Sequence, residues 1–339
     1  MSNVILGAQH LGPPPWPTLD PFLFCVHHLD HYPHGNQDMG PDASLSGRNL
    51  GQDFAGLDGW RMYHGTTVPG FPRHPHRGFE TVTLMRSGVV DHSDSLGATA
   101  RFGEGDVQWM TAGRGIQHSE MFPLRDTSNP NTAELFQLWL NLPARDKMVD
   151  PYFTMLWADT IPVHRFENGG ATTEVVTVAG SLAGQTPPSP PPNSWASQPG
   201  SDLAIWTIAL EPGATWTIPA APAGVHRVLY AFAGEGMMVD TLTTSGQMII
   251  QVRPDVPVHV RGGATGGELL MLQGRPIGEP IARHGPFVMN THAELQQAYD
   301  DYRRTRFGAW SFGVDDPVHP RDQGRFARHA DGRVEKPRA

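Results

Sequence analysis

The sequence predicts an all-β fold built from two tandem β-barrel or sandwich domains. Glycine and proline are abundant, at 38 and 32 of 339 residues, and such a composition favours short strands joined by tight turns. Strand-like runs alternate with turn residues in both halves, such as ETVTLM in the first and LAIWTIAL in the second. Residues 184–202 (GQTPPSPPPNSWASQPGSD) have the composition of a linker or long loop. We therefore expect an N-terminal domain over residues 1–183 and a C-terminal domain over residues 203–309.

A single helix is expected at the end of the C-terminal domain. Thr291 and Glu294 have the spacing of a capping box. They precede apolar and aromatic residues at helical spacing, namely Leu295, Ala298, Tyr299 and Tyr302. Residues 310–339 contain few apolar residues and are expected to form a loose tail.

Composition and charge argue against several classes of protein. The formal net charge of -9 argues against nucleic acid as the main partner, because a phosphate-binding surface needs clustered Lys and Arg. Cys25 is the only cysteine, so no intramolecular disulfide can form, which favours a reducing cytosol. The N-terminus has no charged region followed by a long apolar core, and no apolar run of about 18 residues occurs. We therefore expect a soluble, cytoplasmic protein with no membrane partner.

Two pairs of metal-ligand residue types occur two positions apart, His74 with His76 and His118 with Glu120. Residues i and i+2 of a strand point to the same face, so each pair would present both side chains to one side. Three imidazole nitrogens and one carboxylate oxygen suit Fe(II), Mn(II), Ni(II) or Cu(II) and leave positions open on an octahedral ion. Glycines between the pairs allow the chain to turn back, namely Gly103, Gly105, Gly113 and Gly115. The sequence thus predicts a metal site.

Some residues have other interpretations. A lone histidine more often forms a hydrogen bond in a loop or at the mouth of a barrel than binds a metal. If the strand is unbroken, Glu80 points to the same side as His74 and His76. It could then be a metal ligand, orient a ligand histidine, or form a hydrogen bond to a loop. The histidine-rich stretch HHLDHYPH (27–34) has irregular spacing and is interrupted by Pro33, so a surface or hinge segment is expected there.

The two halves are similar, and their alignment predicts which half holds the metal. Residues 80–88 align with 226–234, and 106–113 with 255–262, each keeping the final glycine in place. Under this alignment the four ligand positions are occupied in the second half by residues that cannot bind a metal, namely Ala220, Pro222, Gly267 and Leu269. One metal site is therefore expected, in the N-terminal domain.

Four longer motifs carry a family resemblance, namely HPHRGFETVT (74–83), GDVQWMTAGRGIQHSEM (105–121), ELFQLWLNLP (134–143) and GPFVMNTHAELQQAYDDYRRTRFG (285–308). Together they resemble the pirins, bicupin proteins of the cupin superfamily, over roughly residues 20–308. The resemblance implies two tandem jelly-roll cupin domains. It also implies one iron in the N-terminal cupin, with His74, His76, His118 and Glu120 as ligands. Glu80 matches a glutamate that many other cupins use as a ligand and pirins generally do not.

One segment departs from the usual pirin pattern. Residues 35–59 (GNQDMGPDASLSGRNLGQDFAGLDG) lie between the DPFLF start and the metal motif. A segment at this position could reshape the mouth of the site, so substrate preference does not transfer directly from the family.

The resemblance implies a dioxygenase that acts with O₂ on quercetin or a related phenolic compound. A divalent metal, with Fe(II) as first choice and Mn, Ni or Cu as alternatives, would bind the deprotonated 3-hydroxyl of a flavonol as a Lewis acid. Glu120 would take the hydroxyl proton as the catalytic base. The alternative is an iron-dependent regulatory protein that binds a transcription factor or a metabolic enzyme without turnover. A metal-stabilised β scaffold is a third interpretation, and a monomer is expected.

Overall fold

The computed structural model describes residues 4–338, which consist mainly of β-strands and connecting loops, so the all-β prediction is confirmed. The strands, in chain order, are Ile5–His10 (β1), Phe22–Tyr32 (β2), Gly70–His76 (β3), Phe79–Ser87 (β4), Val89–Asp94 (β5), Thr99–Gly103 (β6), Val107–Thr111 (β7), Ile116–Met121 (β8), Asn131–Asn141 (β9), Tyr152–Leu156 (β10), Val163–Asn168 (β11), Ala171–Ala179 (β12), Ala204–Leu210 (β13), Thr215–Ile218 (β14), His226–Ala233 (β15), Met238–Val239 (β16), Leu242–Thr243 (β17), Met248–Val252 (β18), Val258–Arg261 (β19), Gly267–Gly274 (β20), Ala282–His284 (β21), Phe287–Met289 (β22), Phe326–Arg328 (β23) and Val334–Glu335 (β24). The helices are the α-helix His292–Thr305 (α1) and the short 3-10 turns Leu57–Gly59, Ala144–Asp146 and Trp195–Ser197. Over residues 4–338, no helix has the length and apolar character needed to cross a membrane.

The described residues group into two compact units, and the chain passes between them more than once. The first unit contains Val26–Asp159 and the described residues from Glu279 onward. The second unit contains the described residues up to Cys25 and Thr160–Gly278. The domain boundaries expected from the sequence, at 183 and 203, stay a prediction about which segments fold independently.

The first unit is built from two antiparallel sheets that share an apolar core. One sheet has the strand order β10-β7-β4-β9-β2 and the other has the order β24-β23-β6-β5-β8-β3. Strands of both sheets contribute to one buried cluster, which includes Met85, Leu135 and Phe153 from the first sheet and Val90 and Phe102 from the second. Side chains of alternate parity on each strand therefore face the interior between the sheets.

The second unit repeats this arrangement. Its sheets have the strand orders β1-β18-β15-β20-β13-β12-β11 and β14-β19-β16-β17. Its core combines residues of both sheets, such as Leu229 and Met271 from the larger sheet and Ile218 and Val260 from the smaller. Large apolar side chains fill the interior of this unit.

Strand order corrects the alignment of the two halves. In the first unit β4 lies between β7 and β9, and in the second β15 lies between β18 and β20. Strand β7 therefore corresponds to β18, not to residues 255–262, and the pair β3–β8 corresponds to β14–β19. The similarity of the glycine-ended segments is too faint to set a register that depends on pairing between distant strands.

The helix α1 has the cap that the sequence predicts and belongs to the first unit by its contacts. The Thr291 hydroxyl accepts a hydrogen bond from the Glu294 amide at 3.2 Å, and the Glu294 carboxylate accepts one from the Thr291 amide at 2.8 Å. Leu295 and Ala298 are buried in a small apolar cluster with the hairpin β21–β22, which includes Phe287. The apolar stripe of the helix thus packs on a hairpin that directly precedes it.

Residues 310–338, which the sequence predicts as a loose tail, are hydrogen-bonded to the first unit. Strand β23 pairs with β6, with Ala327 opposite Ala100. The fully buried Arg101 donates two hydrogen bonds to Asp91 and others to the carbonyl oxygens of His319, Pro320 and Gln323. Few apolar residues are needed to hold this segment because one buried guanidinium satisfies several of its backbone carbonyl groups.

We predict that Arg101→Lys destabilises the first unit by about 2 kcal/mol and loosens the tail. Lysine keeps the charge but loses the two-pronged contact with Asp91 and most of the bonds to carbonyl groups, each worth about 0.5–1.5 kcal/mol. Urea unfolding measures the stability, and tryptic cleavage after Arg321 and Arg325 measures the exposure of the tail. The matched control is Arg165→Lys, since Arg165 forms a surface ion pair with Glu174 that is worth less than about 1 kcal/mol. Equal cleavage rates in the wild type and Arg101→Lys would contradict the role assigned to Arg101.

Candidate metal centre

Three histidines converge where β3 pairs with β8. The antiparallel register places His74 opposite His118 and His76 opposite Ile116. A ligand atom from each of His74, His76 and His118 lies within 4.8 Å of the others. The ring centroids are 4.4 Å apart for His74 and His118, 4.8 Å for His74 and His76, and 4.9 Å for His76 and His118. Both parts of the sequence pattern therefore meet at one point.

The imidazole nitrogens of this cluster are available to bind a metal. His76 and His118 are 3% and 0% exposed, and their ring nitrogens have no hydrogen-bond partner among residues 4–338. The Nδ1 of His74 lies 2.9 Å from the carbonyl oxygen of Pro72 and so carries the proton, which leaves the lone pair on Nε2. Buried polar atoms without partners are rare and costly. A shared cation would satisfy all three rings, so these residues fit a metal ion.

The environment also keeps the three rings neutral, which is the form that binds a metal. Burial lowers the pKa of His74 to about 4. Burial, together with the neighbouring imidazoles, holds the pKa of His76 and His118 well below the usual value. Three positive charges so close together in a buried site would repel one another strongly. Metal binding at neutral pH therefore needs no prior loss of protons from these rings.

Glu120 lies beside the histidines with its carboxylate held by two polar side chains. Its Oε2 is 3.8 Å from His118 Nε2 and accepts a hydrogen bond from Gln137 Nε2 at 3.3 Å. Its Oε1 lies 3.0 Å from the Thr83 hydroxyl, which is also 2.5 Å from Gln137 Oε1. Burial raises the pKa of Glu120, although hydrogen bonds from Thr83 and Gln137 oppose this shift. The carboxylate thus lies next to His118, and its burial makes it more basic than usual.

A further histidine–carboxylate pair, His92 and Asp94, lies next to the cluster and was not predicted from the sequence. On β5, His92 lies opposite Glu120 and Asp94 lies opposite His118. His92 Nε2 is 3.0 Å from Asp94 Oδ2, and its ring centroid is 5.5 Å from that of His118. Both side chains are fully buried. The signal was present, because His92 and Asp94 have the same i, i+2 spacing as the two pairs that were recognised.

Glu80 lies outside the cluster. Strand β3 ends at His76 and β4 begins at Phe79, so the parity argument that linked Glu80 to the histidines does not hold. Gly78 has a φ of +84°, and a Cβ there would lie 2.0 Å from the carbonyl oxygen of Val288, so this turn requires glycine. Within β4, Glu80 points to the opposite face from Thr83, the residue that contacts Glu120. The Glu80 carboxylate instead accepts a hydrogen bond from the Thr111 hydroxyl at 2.6 Å.

In the histidine-rich stretch 27–34 the first six residues belong to β2, and His31 and His34 are exposed, as expected of a surface segment. His27 bonds to Glu134 at 2.9 Å, and His28 Nδ1 bonds to the hydroxyl of Tyr63 at 2.7 Å. Cys25 is buried, and burial raises the pKa of its thiol, which agrees with a packing role.

Comparison with known proteins assigns the family. Residues 17–140 match the Pirin family and residues 205–308 match the Pirin C-terminal cupin domain. A pirin-like protein of Caulobacter vibrioides is 40% identical over 70% of this chain and 80% of its own length. A provisionally named quercetin 2,3-dioxygenase of Pseudomonas aeruginosa is 37% identical over 70% of this chain and 79% of its own length.

A solved structure agrees in fold. The crystal structure of a quercetin 2,3-dioxygenase from Acinetobacter baumannii matches with a TM-score of 0.69 and 27% identity, over 90% of this chain and 98% of that chain. The family matches cover both halves of the chain, and the relatives are similar at this level of identity over most of their own length. This chain belongs to the pirin family.

Proposed function

We propose that this protein is a metal-dependent dioxygenase that acts on quercetin or a related phenolic compound. The observation that carries the proposal is the cluster of His74, His76 and His118, three neutral imidazoles whose ligand atoms lie within 4.8 Å of one another, with Glu120 beside them. His76 and His118 are buried and His74 is half-buried. The names of the relatives from Pseudomonas aeruginosa and Acinetobacter baumannii support the same reaction class.

In this proposal one divalent metal is bound by His74, His76, His118 and Glu120. Three nitrogens and one oxygen suit a first-row transition metal, with Fe(II) as our first choice and Mn, Ni or Cu as alternatives. The bound metal would supply Lewis acidity toward the 3-hydroxyl group of a flavonol. Burial of His76 and His118 away from bulk water strengthens the electrostatic interactions inside the site.

In this proposal Glu120 accepts the proton of the substrate hydroxyl. Its burial favours the protonated form, so it is a stronger base than an exposed glutamate. Thr83 and Gln137 hold its two oxygens from the facing sheet, and this fixes the direction in which the carboxylate can reach. A carboxylate held in this way can serve as a metal ligand and then as a base.

We predict that His76→Ala and His118→Ala each lose metal binding. Wild-type protein is expected to bind about one Fe(II), Mn(II) or Ni(II) per chain, measured by metal analysis after anaerobic loading. Loss of a ligand should weaken binding more than about 100-fold, since loss of an outer-shell partner alone costs about 10–100-fold. At 100 times its Kd the metal should stabilise the wild type by about 2.7 kcal/mol, and it should not stabilise either variant.

The matched control for metal binding is His31→Ala, because His31 is an exposed histidine of β2. It should bind metal as the wild type does. Full metal content in both His76→Ala and His118→Ala would refute the assignment of the centre.

We predict that metal-loaded protein consumes O₂ with quercetin and that Glu120→Gln lowers kcat by about 10²–10⁴-fold, the usual contribution of a general base. An oxygen electrode measures the rate, and metal content is measured on the same samples. Glu167→Gln, at an exposed glutamate of β11, is the control and should be unchanged. If protein that holds its iron takes up no oxygen, the dioxygenase proposal fails and the regulatory alternative gains weight.

A further inference from the structure

His74 is the most exposed of the three histidines of the cluster. His76 and His118 are buried, whereas His74 is half-buried. The Phe71 ring, three residues earlier on β3, lies 6.3 Å from the His74 ring and is also half-buried. Phe71 is therefore a partly exposed ring directly beside the most exposed histidine of the cluster.

Two further rings extend this aromatic surface outward. Phe54 belongs to the segment that departs from the usual pirin pattern, and His64 follows shortly after it. Their ring centroids lie 5.1 Å apart, and each packs on Phe71, at 6.5 Å from Phe54 and 5.7 Å from His64. We call Phe54, His64 and Phe71 the aromatic rim. Phe54 is 48% exposed, which leaves its ring available for contact.

The loop that carries Phe54 is held in place by buried contacts. The Arg48 guanidinium stacks 3.2 Å from the ring centroid of Trp60 and donates to the Asp53 carboxylate at 2.9 Å. Asp53 and Tyr63 exchange backbone hydrogen bonds of 2.8 and 3.0 Å. These contacts fix the backbone directly before Phe54, so its position is built into the fold.

The rings of the rim rest on a fixed base. Tyr63 lies 5.6 Å from Phe54 and 5.0 Å from Phe71, measured between ring centroids. Its hydroxyl donates to Asp30 at 2.5 Å and accepts from His28 at 2.7 Å. His64 is likewise held, because its Nδ1 lies 2.7 Å from the carbonyl oxygen of Gly51. A rigid aromatic surface loses little entropy when it binds a flat ligand.

We propose that the aromatic rim binds the outer ring of a flat phenol with two or more rings while its hydroxyl group reaches the histidine cluster. This inference rests on the proposed function and narrows its substrate class. A single benzene ring at the cluster would not extend as far as Phe54, whereas a flavonol would lie across Phe71 toward Phe54 and His64. Flat aromatic ligands stack on such rings in offset or edge-to-face geometry.

The test compares Phe54→Ala with wild type for two ligands, quercetin and catechol, by equilibrium dialysis with metal-loaded protein. We expect the Kd of quercetin to rise about fivefold to tenfold and the Kd of catechol to stay the same, because only quercetin reaches Phe54. Phe54→Leu keeps much of the apolar area and removes the ring, so its Kd for quercetin should lie between those of the wild type and Phe54→Ala. Leu57→Ala is the matched control, since Leu57 lies in the same loop and is 45% exposed. Thermal unfolding verifies that each variant is folded.

The outcomes separate this inference from the proposed function. If Phe54→Ala leaves the Kd of quercetin unchanged, or raises the Kd of catechol by the same factor, the proposed binding role of the aromatic rim is wrong. This holds even if the protein oxidises quercetin. Failure of the wild type to bind quercetin also overturns this role. A selective loss of quercetin binding supports the rim even if no oxygen is consumed, and the dioxygenase proposal alone then fails.

Discussion

The antiparallel pairing of β3 with β8 is the constraint on which the candidate site depends. It sets His74 opposite His118, and the i, i+2 periodicity of each strand then adds His76 from one side and Glu120 from the other. The pairing needs close contact at the start of β3. A Cβ at Gly70 would lie 2.4 Å from the carbonyl oxygen of Glu120, and this residue has a φ of +135°. A slip of one residue in this register would turn the two side chains of one strand to the opposite face and separate them from the pair on the other strand.

The same pairing imposes an energetic cost on the metal-free protein. It buries His76 and His118 without hydrogen-bond partners, and an unmade hydrogen bond in the interior costs about 1–3 kcal/mol. Glu120 and His92 add further polar groups to the same interior. The surrounding sheets must offset this cost with apolar burial, such as that of Phe102 and Phe153. Unpaired polar groups in an interior are typical of functional sites, so the cost itself is an argument for a ligand at this point.

The sequence predicted what depends on local spacing and missed what depends on the pairing of distant strands. The two i, i+2 pairs and the capping box of Thr291 were visible because each lies within one element. Thr83 and Gln137 could not be recognised, because only the facing of two sheets brings them to Glu120. Parity failed for Glu80 because the turn at Gly78 separates two strands. The order of the C-terminal tail depends on contacts with Arg101, more than 200 residues earlier in the chain.

The second unit shows that the fold alone does not make a site. Its strand pair β14–β19 occupies the place that β3–β8 has in the first unit, but it sets Ile218 opposite Val258 and Trp216 opposite Val260. These side chains pack in the apolar core. The one histidine of this pair, His259, is exposed and bonds to Thr217 at 2.9 Å. The same topology therefore serves packing in one unit, and in the other it brings together three histidines with Glu120 beside them.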